Sequence, residues 1–261
     1  SFRSIGKLIN NNISGRYQNK DGEYFNFSMK RDSLFKDIKK NDVLVDASNI
    51  IPANWFPNKS FGFEDFPTHK NIHFKNATIW TNENEGVLEN YDLIISKGQI
   101  IAIGELLNPM DFLNDEELFT TINASELHLT SGIIDEHSHI AISRGVNEGS
   151  QAVSAEVRIG DVINPYDHNI YRQLSGGTVA SQLLHGSANP VGGQSAIIKL
   201  RWGLNAEAMK IKNADKFIKF ALGENVKQSN WGDFENERFP QTRMGVEQVF
   251  YDAFYRAKAY Q

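Results

Sequence analysis

Two histidines separated by one residue end an apolar segment near the middle of the chain, residues 131–139 (SGIIDEHSH). Alternate residues of a β-strand point to the same side, so His137 and His139 would present two imidazole rings together. Neutral imidazole nitrogens are common ligands of divalent metal ions. The spacing therefore predicts a metal-binding pair, with Asp135 and Glu136 available to orient the rings. The alternative is a pair of hydrogen-bonded histidines with a purely structural role.

The elements that must position this pair alternate between strands and helices. After residue 132, apolar strand-like segments alternate with segments of helical periodicity. The predicted strands are residues 178–184, 195–200 and 216–222, and the predicted helices are residues 169–174, 205–211 and 246–260. This alternation is typical of parallel β/α units. About four such units would form an α/β fold equal to half of a (β/α)₈ TIM-like barrel over residues 132–261.

The chain before residue 132 contains two segments with different sequence patterns. Residues 69–131 contain short strands separated by turns and predict a small β-sandwich domain, with a hairpin turn at Ser96-Lys97-Gly98. Residues 1–68 are polar and irregular, apart from a possible strand at residues 43–45, and predict an N-terminal extension or linker.

Composition excludes several classes of function. Of the 261 residues, 40% are hydrophobic, and the net charge of −5 includes no block of like charges, so neither a nucleic-acid partner nor a membrane partner is expected. No run of about 18 apolar residues occurs. With no cysteine, a transition metal would need His, Asp, Glu or a modified Lys as ligands. No signal peptide is visible, and the composition fits a cytoplasmic and a periplasmic or secreted protein equally well.

Two of these segments resemble a known family. Residues 132–139 (GIIDEHSH) resemble the first-strand metal signature of the amidohydrolase superfamily, and residues 92–104 (DLIISKGQIIAIG) resemble the β-sandwich that precedes its barrel. The order and spacing agree over roughly residues 70–261. The chain is most similar to the imidazolonepropionase-like and prolidase-like branch.

The resemblance implies a set of metal ligands. In this branch the fourth barrel strand can carry a carboxylated lysine that bridges two metal ions, and Lys219 occupies that position. His137, His139 and Lys219 would therefore bind one or two Zn²⁺ ions, although other divalent metals are compatible with these ligands. Two alternatives stay open: Lys219 pairs with Glu224 at the strand end, or Glu224 is itself the ligand.

Loops at the carboxyl ends of barrel strands usually carry substrate contacts. His185 and Asn189 follow the second predicted strand and are the expected substrate-binding residues. Arg144 and Glu148 follow the first strand and are further candidates.

The implied activity is metal-dependent hydrolysis of an amide bond in a cyclic amide or a peptide. The family takes its other metal ligands and its catalytic aspartate from later strands, so no catalytic residue is expected in this chain. It would be an inactive fragment whose partner is the remaining barrel from the same gene product, and a homo-oligomer is compatible with this picture. Two alternatives stay open: a catalytically inactive amidohydrolase-like scaffold or binding protein, and a deaminase on the same barrel.

Overall fold

The computed structural model describes residues 3–19, 21–30, 55–113, 119–232 and 238–261, so the strand expected at residues 43–45 lies outside the described residues. The chain divides into two units, Ser1–Pro52 and Ala53–Gln261. The first unit contains an antiparallel meander of β1 (Arg3–Ile9), β2 (Asn12–Gln18) and β3 (Tyr24–Lys30).

Side-chain alternation gives the meander one apolar face. The register pairs Ile13 with Met29 and Tyr17 with Phe25, and the last two rings stack with centroids 5.3 Å apart. Such cross-strand pairs stabilise a sheet. Residues 3–30 thus contain regular strands where the sequence predicts an irregular extension, and much of the apolar face is exposed.

The second unit begins with one five-stranded sheet. Its strands are β4 (Asn71–Trp80), β5 (Val87–Ser96), β6 (Gln99–Gly104), β7 (Phe119–Asn123) and β8 (His128–Leu129). The order is β6-β5-β4-β7, and β8 also pairs with β4. The predicted hairpin turn is confirmed, because Lys97 and Gly98 join β5 to β6 with positive φ angles of 50° and 79°. The described part of residues 69–131 therefore forms one five-stranded sheet with a short 3₁₀ turn, and the β-sandwich domain expected there stays a prediction.

A buried polar network joins three segments of this sheet. His73 Nε2 lies 3.0 Å from Asp92 Oδ2, and both side chains are almost fully buried. The carboxylate of Asp92 also accepts main-chain N–H bonds from Asn76 at 2.9 Å and from Leu107 at 3.0 Å. His73 therefore has a structural role in this sheet.

The rest of the second unit mixes strands and helices. The strands are β9 (Ile133–Ser138), β10 (Thr178–Leu183), β11 (Val191–Gln194), β12 (Ala196–Lys199) and β13 (Ile218–Phe220). The α-helices are α1 (His168–Ser175), α2 (Ala206–Met209) and α3 (Arg243–Tyr260), and 3₁₀ turns lie at Pro109–Asp111, Ile159–Asp161 and Gln228–Asn230.

Capping residues determine where these helices begin and end. The Asn205 side chain accepts from Ala208 N and caps α2. Asp167 caps α1 in the same way, and Gly176 with Gly177 (φ 93°) ends that helix. Among the described residues, no helix is both long enough and apolar enough to cross a membrane.

The strand directions differ from those of four consecutive parallel units. β9 and β10 are parallel, and the chain between them contains α1, as in a β/α unit. β12, however, is antiparallel to β10, and β11 is antiparallel to β13. The chain from β10 to β12 contains β11 and no helix, so it lacks the crossover that parallel strands require. The α/β character is present, whereas the predicted TIM-barrel repeat of about four units is not confirmed.

Residues 55–68 belong to the second unit, so the extension predicted at residues 1–68 is divided between the two units. Trp202 Nε1 donates to the carbonyl oxygen of Phe61 at 2.7 Å, and the Phe61 ring stacks on Tyr171 at 4.7 Å. Trp202 is part of the buried core of this region, together with Ile170, Leu183, Ile198 and Met209.

Candidate metal-binding site

Three side chains predicted from the sequence lie close together, namely His137 of β9, His139 just after β9 and Lys219 of β13. Lys219 Nζ lies 3.2 Å from His137 Nε2, although the two residues are 82 positions apart in the chain. The ring of His139 lies beside that of His137, with centroids 5.3 Å apart and planes at 84°. Strand alternation places the two histidines together, and tertiary folding brings the lysine to them.

The tautomer of His139 follows from its hydrogen bond. Its Nδ1 lies 2.9 Å from the carbonyl oxygen of Leu184, directly after β10. A carbonyl oxygen only accepts, so Nδ1 carries the proton and donates, and Nε2 keeps a lone pair. A backbone carbonyl often orients a metal-binding imidazole in this way. His139 is therefore arranged to offer Nε2 as a ligand.

Lys219 determines whether a cation can share this site. An ammonium group has only donors, so it donates to Nε2 of His137 in this arrangement. Its positive charge would repel a metal ion. A divalent ion therefore fits only after Lys219 loses that charge, through deprotonation or through carboxylation of its amine.

The carboxylates near this site have other contacts. Asp135 Oδ1 accepts the main-chain N–H of His137 at 3.2 Å, so it contacts the backbone of that residue. Glu224 forms ion pairs with Arg243 at 2.8 Å and with Lys227 at 2.7 Å. These cations occupy a carboxylate that was considered as an alternative ligand.

The ligand set in the described residues is rich in nitrogen and incomplete. No group of three or more His, Cys, Asp or Glu side chains suited to a metal occurs in the described ranges. His137, His139 and an uncharged Lys219 would fit a borderline-soft ion such as Zn²⁺, which is usually four-coordinate. At least one further ligand would have to come from elsewhere.

His185 is buried, and both of its ring nitrogens are occupied. Nδ1 donates to the carbonyl oxygen of Gly186 at 2.8 Å, and Nε2 accepts the main-chain N–H of Glu148 at 2.8 Å. A substrate contact through either nitrogen would require one of these bonds to break. The substrate-binding role expected for His185 stays a prediction.

Asn189 is fully buried and binds the loop after β9 that contains Glu148. Its Nδ2 lies 2.6 Å from the carbonyl oxygens of Glu148 and Gln151 and 3.1 Å from Ser154 Oγ. Its expected substrate contact likewise stays a prediction.

Arg238 is a third partner of this loop, and sequence reasoning missed it. Its guanidinium group donates to the carbonyl oxygens of Gly149 at 2.6 Å, Gln151 at 2.7 Å and Ala188 at 2.7 Å, and it lies 5.3 Å from the ring centre of Trp231. Burial lowers the pKa of Arg238, but a guanidinium group keeps its charge in a protein. A lone arginine in a polar segment carries no spacing signal, so only the folded structure reveals this role.

The carboxylate of Glu148 is exposed and held in place by its neighbour. Ser150 donates to Oε1 through its hydroxyl at 2.5 Å and through its main-chain N–H at 3.1 Å. These two bonds, the hydroxyl bond first, lower the pKa of the Glu148 carboxyl below its ordinary value. Arg144, the other candidate in this loop, is exposed and has a positive φ of 64°.

Comparison with known proteins gives two informative matches, and no family model matches the chain. It is 30% identical over 214 residues to the amidohydrolase tasK of Hapsidospora irregularis, an alignment that covers 70% of this chain and 21% of that protein. It superposes on the crystal structure of an amidohydrolase from Thermotoga maritima with a TM-score of 0.60 and 32% identity, covering 72% of this chain and 48% of the other.

The chain thus spans about a fifth of the first relative and about half of the second. A prolidase complexed with N-methylphosphonate-L-proline matches with a TM-score of only 0.26 at 18% identity, over 43% of this chain and 25% of the other, which is too weak to support an argument. The chain is similar in sequence and structure to amidohydrolases. The branch within that superfamily stays a prediction.

Proposed function

We propose that this chain forms part of a metal-dependent hydrolase of amide bonds, in which His137, His139 and Lys219 bind a divalent ion, with Zn²⁺ as the first candidate. The observation that carries the proposal is the 3.2 Å approach of Lys219 Nζ to His137 Nε2 beside the ring of His139. Similarity to two proteins named as amidohydrolases supports the same class of reaction.

Each residue has a defined part in this proposal. His139 is held by Leu184 through Nδ1, which leaves Nε2 for the ion. The ammonium group of Lys219 would first lose a proton, and the uncharged amine would then add to CO₂ through a new N–C bond and lose a second proton, which gives an anionic carbamate with two oxygens. That change removes the repulsion between Lys219 and the ion and also frees Nε2 of His137.

The substrate would be an amide in a cyclic amide or a peptide. When bound, a divalent ion supplies Lewis acidity that polarises a carbonyl group and lowers the pKa of a water molecule. The described residues near the site contain no obvious general base. We place that base, with the other ligands, in the remaining barrel of the same gene product.

Exposed apolar residues beside the site support this further packing. Ile133 and Ile134 of β9 are 58% and 69% exposed, although a barrel strand normally buries such side chains. Because consecutive strand residues point to opposite faces, additional chain packed against both faces of β9 would be needed to cover them.

The test measures zinc content and amide hydrolysis together in the full gene product. Zinc is quantified by mass spectrometry after reconstitution, and hydrolysis is assayed on dipeptides and cyclic imides. The His137→Ala/His139→Ala double variant should lose both zinc and hydrolysis. His69 is an exposed histidine just before β4, and the control variant His69→Ala should keep both zinc and hydrolysis.

Two outcomes would contradict the proposal. A wild-type protein that takes up no zinc or other divalent metal after reconstitution would be an inactive scaffold. Release of ammonia from a ring C=N substrate, without any amide hydrolysis, would instead indicate a deaminase.

A further inference from the structure

The loop that follows β9 is held by buried side chains from distant parts of the chain. We propose that His185, Asn189 and Arg238 are positioning residues, which fix residues 146–154 against the end of β10 beside the metal-binding histidines. The importance of this arrangement for catalysis rests on the proposed function. The contacts themselves do not depend on it.

His185 and Asn189 together hold both main-chain groups of one residue. His185 Nε2 accepts the N–H of Glu148 at 2.8 Å, and Asn189 Nδ2 donates to the carbonyl oxygen of Glu148 at 2.6 Å. Because both side chains are buried, solvent competes little with these bonds. The backbone of Glu148 is thereby fixed, and its carboxylate is directed outward.

Two further carbonyl groups of the loop, those of Gly149 and Gln151, are bound by Asn189 and Arg238. Asn189 also binds Gln151 O, and Arg238 binds the carbonyl oxygens of Gly149 and Gln151. Neither carbonyl group belongs to a helix or to a paired strand. Two donor side chains thus replace the hydrogen bonds that regular structure would supply.

One short segment connects this loop to the metal-binding site. Leu184, next to His185, accepts the hydrogen bond from His139 Nδ1, and its own N–H donates to Ser138 O of β9 at 3.0 Å. On the other side, Gly186 N donates to Val146 O at 2.7 Å. Residues 184–186 therefore orient the ring of His139 and anchor the start of the loop together. A substitution at His185 should therefore affect both the orientation of the His139 ring and the conformation of the loop.

The choice of residue indicates positioning and not simple filling of space. An apolar side chain could fill the volume of His185 without the cost of burying two polar nitrogens. That cost is met only when Glu148 and Gly186 adopt the conformation that satisfies both nitrogens.

The experiment compares His185→Phe, which keeps ring volume without an acceptor, with His185→Gln, whose amide oxygen can reach the Glu148 N–H. Two properties are measured on the full gene product: hydrogen exchange at the Glu148 amide, and Co²⁺ affinity from its visible absorption. His185→Phe should speed exchange about tenfold, since losing one hydrogen bond costs about 1 kcal/mol. It should weaken Co²⁺ binding about tenfold or more through His139. His185→Gln should recover most of both losses, and His69→Phe should change neither.

Unchanged hydrogen exchange and unchanged Co²⁺ affinity in His185→Phe would overturn the inference. A His185→Gln variant that recovers neither property would overturn it as well. If His185→Phe does not fold, Arg238→Lys provides the second test. It should speed exchange in residues 149–151, and unchanged exchange there would also contradict the inference. A wild-type protein that binds no Co²⁺ would defeat the proposed function, whereas the exchange measurement would still decide whether His185 holds the loop.

Discussion

At the scale of single residues, hydrogen-bond partners determine what each polar side chain can do. His139 donates through Nδ1 to a carbonyl and keeps its other nitrogen for a ligand, whereas both nitrogens of His185 are occupied by the backbone. The two histidines differ in role although each lies at the end of a strand in the same region. Position in the sequence alone does not distinguish them.

Ser150 should control the acidity of Glu148. Because the Ser150 hydroxyl is the largest cause of the lowered pKa, Ser150→Ala should raise the pKa of the Glu148 carboxyl towards its ordinary value. The side-chain carboxyl ¹³C shift, followed by NMR as the pH is lowered, measures this directly. Ser175→Ala, at an exposed serine of α1, is the matched control. A pKa of Glu148 that is the same in all three proteins would contradict this assignment.

Asp92 should contribute strongly to the stability of the five-stranded sheet formed by β4 to β8. Asp92→Asn replaces one acceptor oxygen with an NH₂ group. The loss matters because the main-chain N–H groups of Asn76 and Leu107 donate to this carboxylate, and His73 Nε2 lies against it. We expect a loss of about 2–4 kcal/mol in the free energy of unfolding, measured by urea denaturation. Asp65→Asn, at an exposed position, should stay within about 0.5 kcal/mol of wild type. Equal losses in both variants would show that the buried network contributes little.

At the scale of elements, close approach explains a pair of glycines. Gly192 and Gly193 are consecutive residues of strand β11. A Cβ on Gly193 would come within 2.7 Å of Val157 Cγ2 and within 3.1 Å of His185 Cδ2. The strand therefore requires glycine so that these neighbours can pack against its backbone.

Gly193→Ala should destabilise the protein by about 1–3 kcal/mol, because Val157 and His185 must move to accommodate the methyl group. The urea midpoint measures the loss. Gly145→Ala provides the control, since a Cβ there would meet nothing within 4 Å. A midpoint for Gly193→Ala equal to that of Gly145→Ala would show that the packing around β11 is loose.

The sequence predicted some elements better than others, for physical reasons. α1, α3 and the β5–β6 hairpin carry local signals, namely caps, helical periodicity and turn glycines. The directions of β11 and β12 depend on tertiary pairing, which local periodicity does not encode. The pair at His137 and His139 could be predicted from strand alternation, and Lys219 from family resemblance. The partners of Arg238 could not be predicted, because they are main-chain atoms far away in the sequence.

At the scale of the whole molecule, the described chain has the composition of a globular protein but leaves apolar strand residues uncovered. Ile133, Ile134 and Val179 on the neighbouring strands β9 and β10 are 58%, 69% and 42% exposed. Ile133 and Ile134 point to opposite faces, so this apolar patch comprises exposed side chains on both faces of the sheet edge. Exposed apolar surface of this kind commonly marks a contact surface. The similarity covers about half of the Thermotoga maritima protein, which agrees with our proposal that further chain packs here.

This patch should cause the 261-residue chain to self-associate when nothing else covers it. Ile134→Glu should shift sedimentation-velocity profiles towards the monomer, because a charged side chain opposes burial of the strand. Leu106→Glu, at an 85% exposed residue outside the patch, should leave the profile as in wild type. An identical shift in both variants would indicate a general effect of charge and contradict a specific role for the patch.

The central claim, that His137, His139 and Lys219 bind the metal ion, is tested most directly by zinc-edge X-ray absorption on the zinc-loaded full gene product. Nitrogen or oxygen neighbours are expected at about 2.0–2.1 Å from the zinc, with outer-shell scattering from imidazole rings. That imidazole signal should fall in His137→Ala and in His139→Ala, and it should stay unchanged in His69→Ala. Bound zinc whose imidazole signal is the same in all four proteins would contradict the assignment of the site.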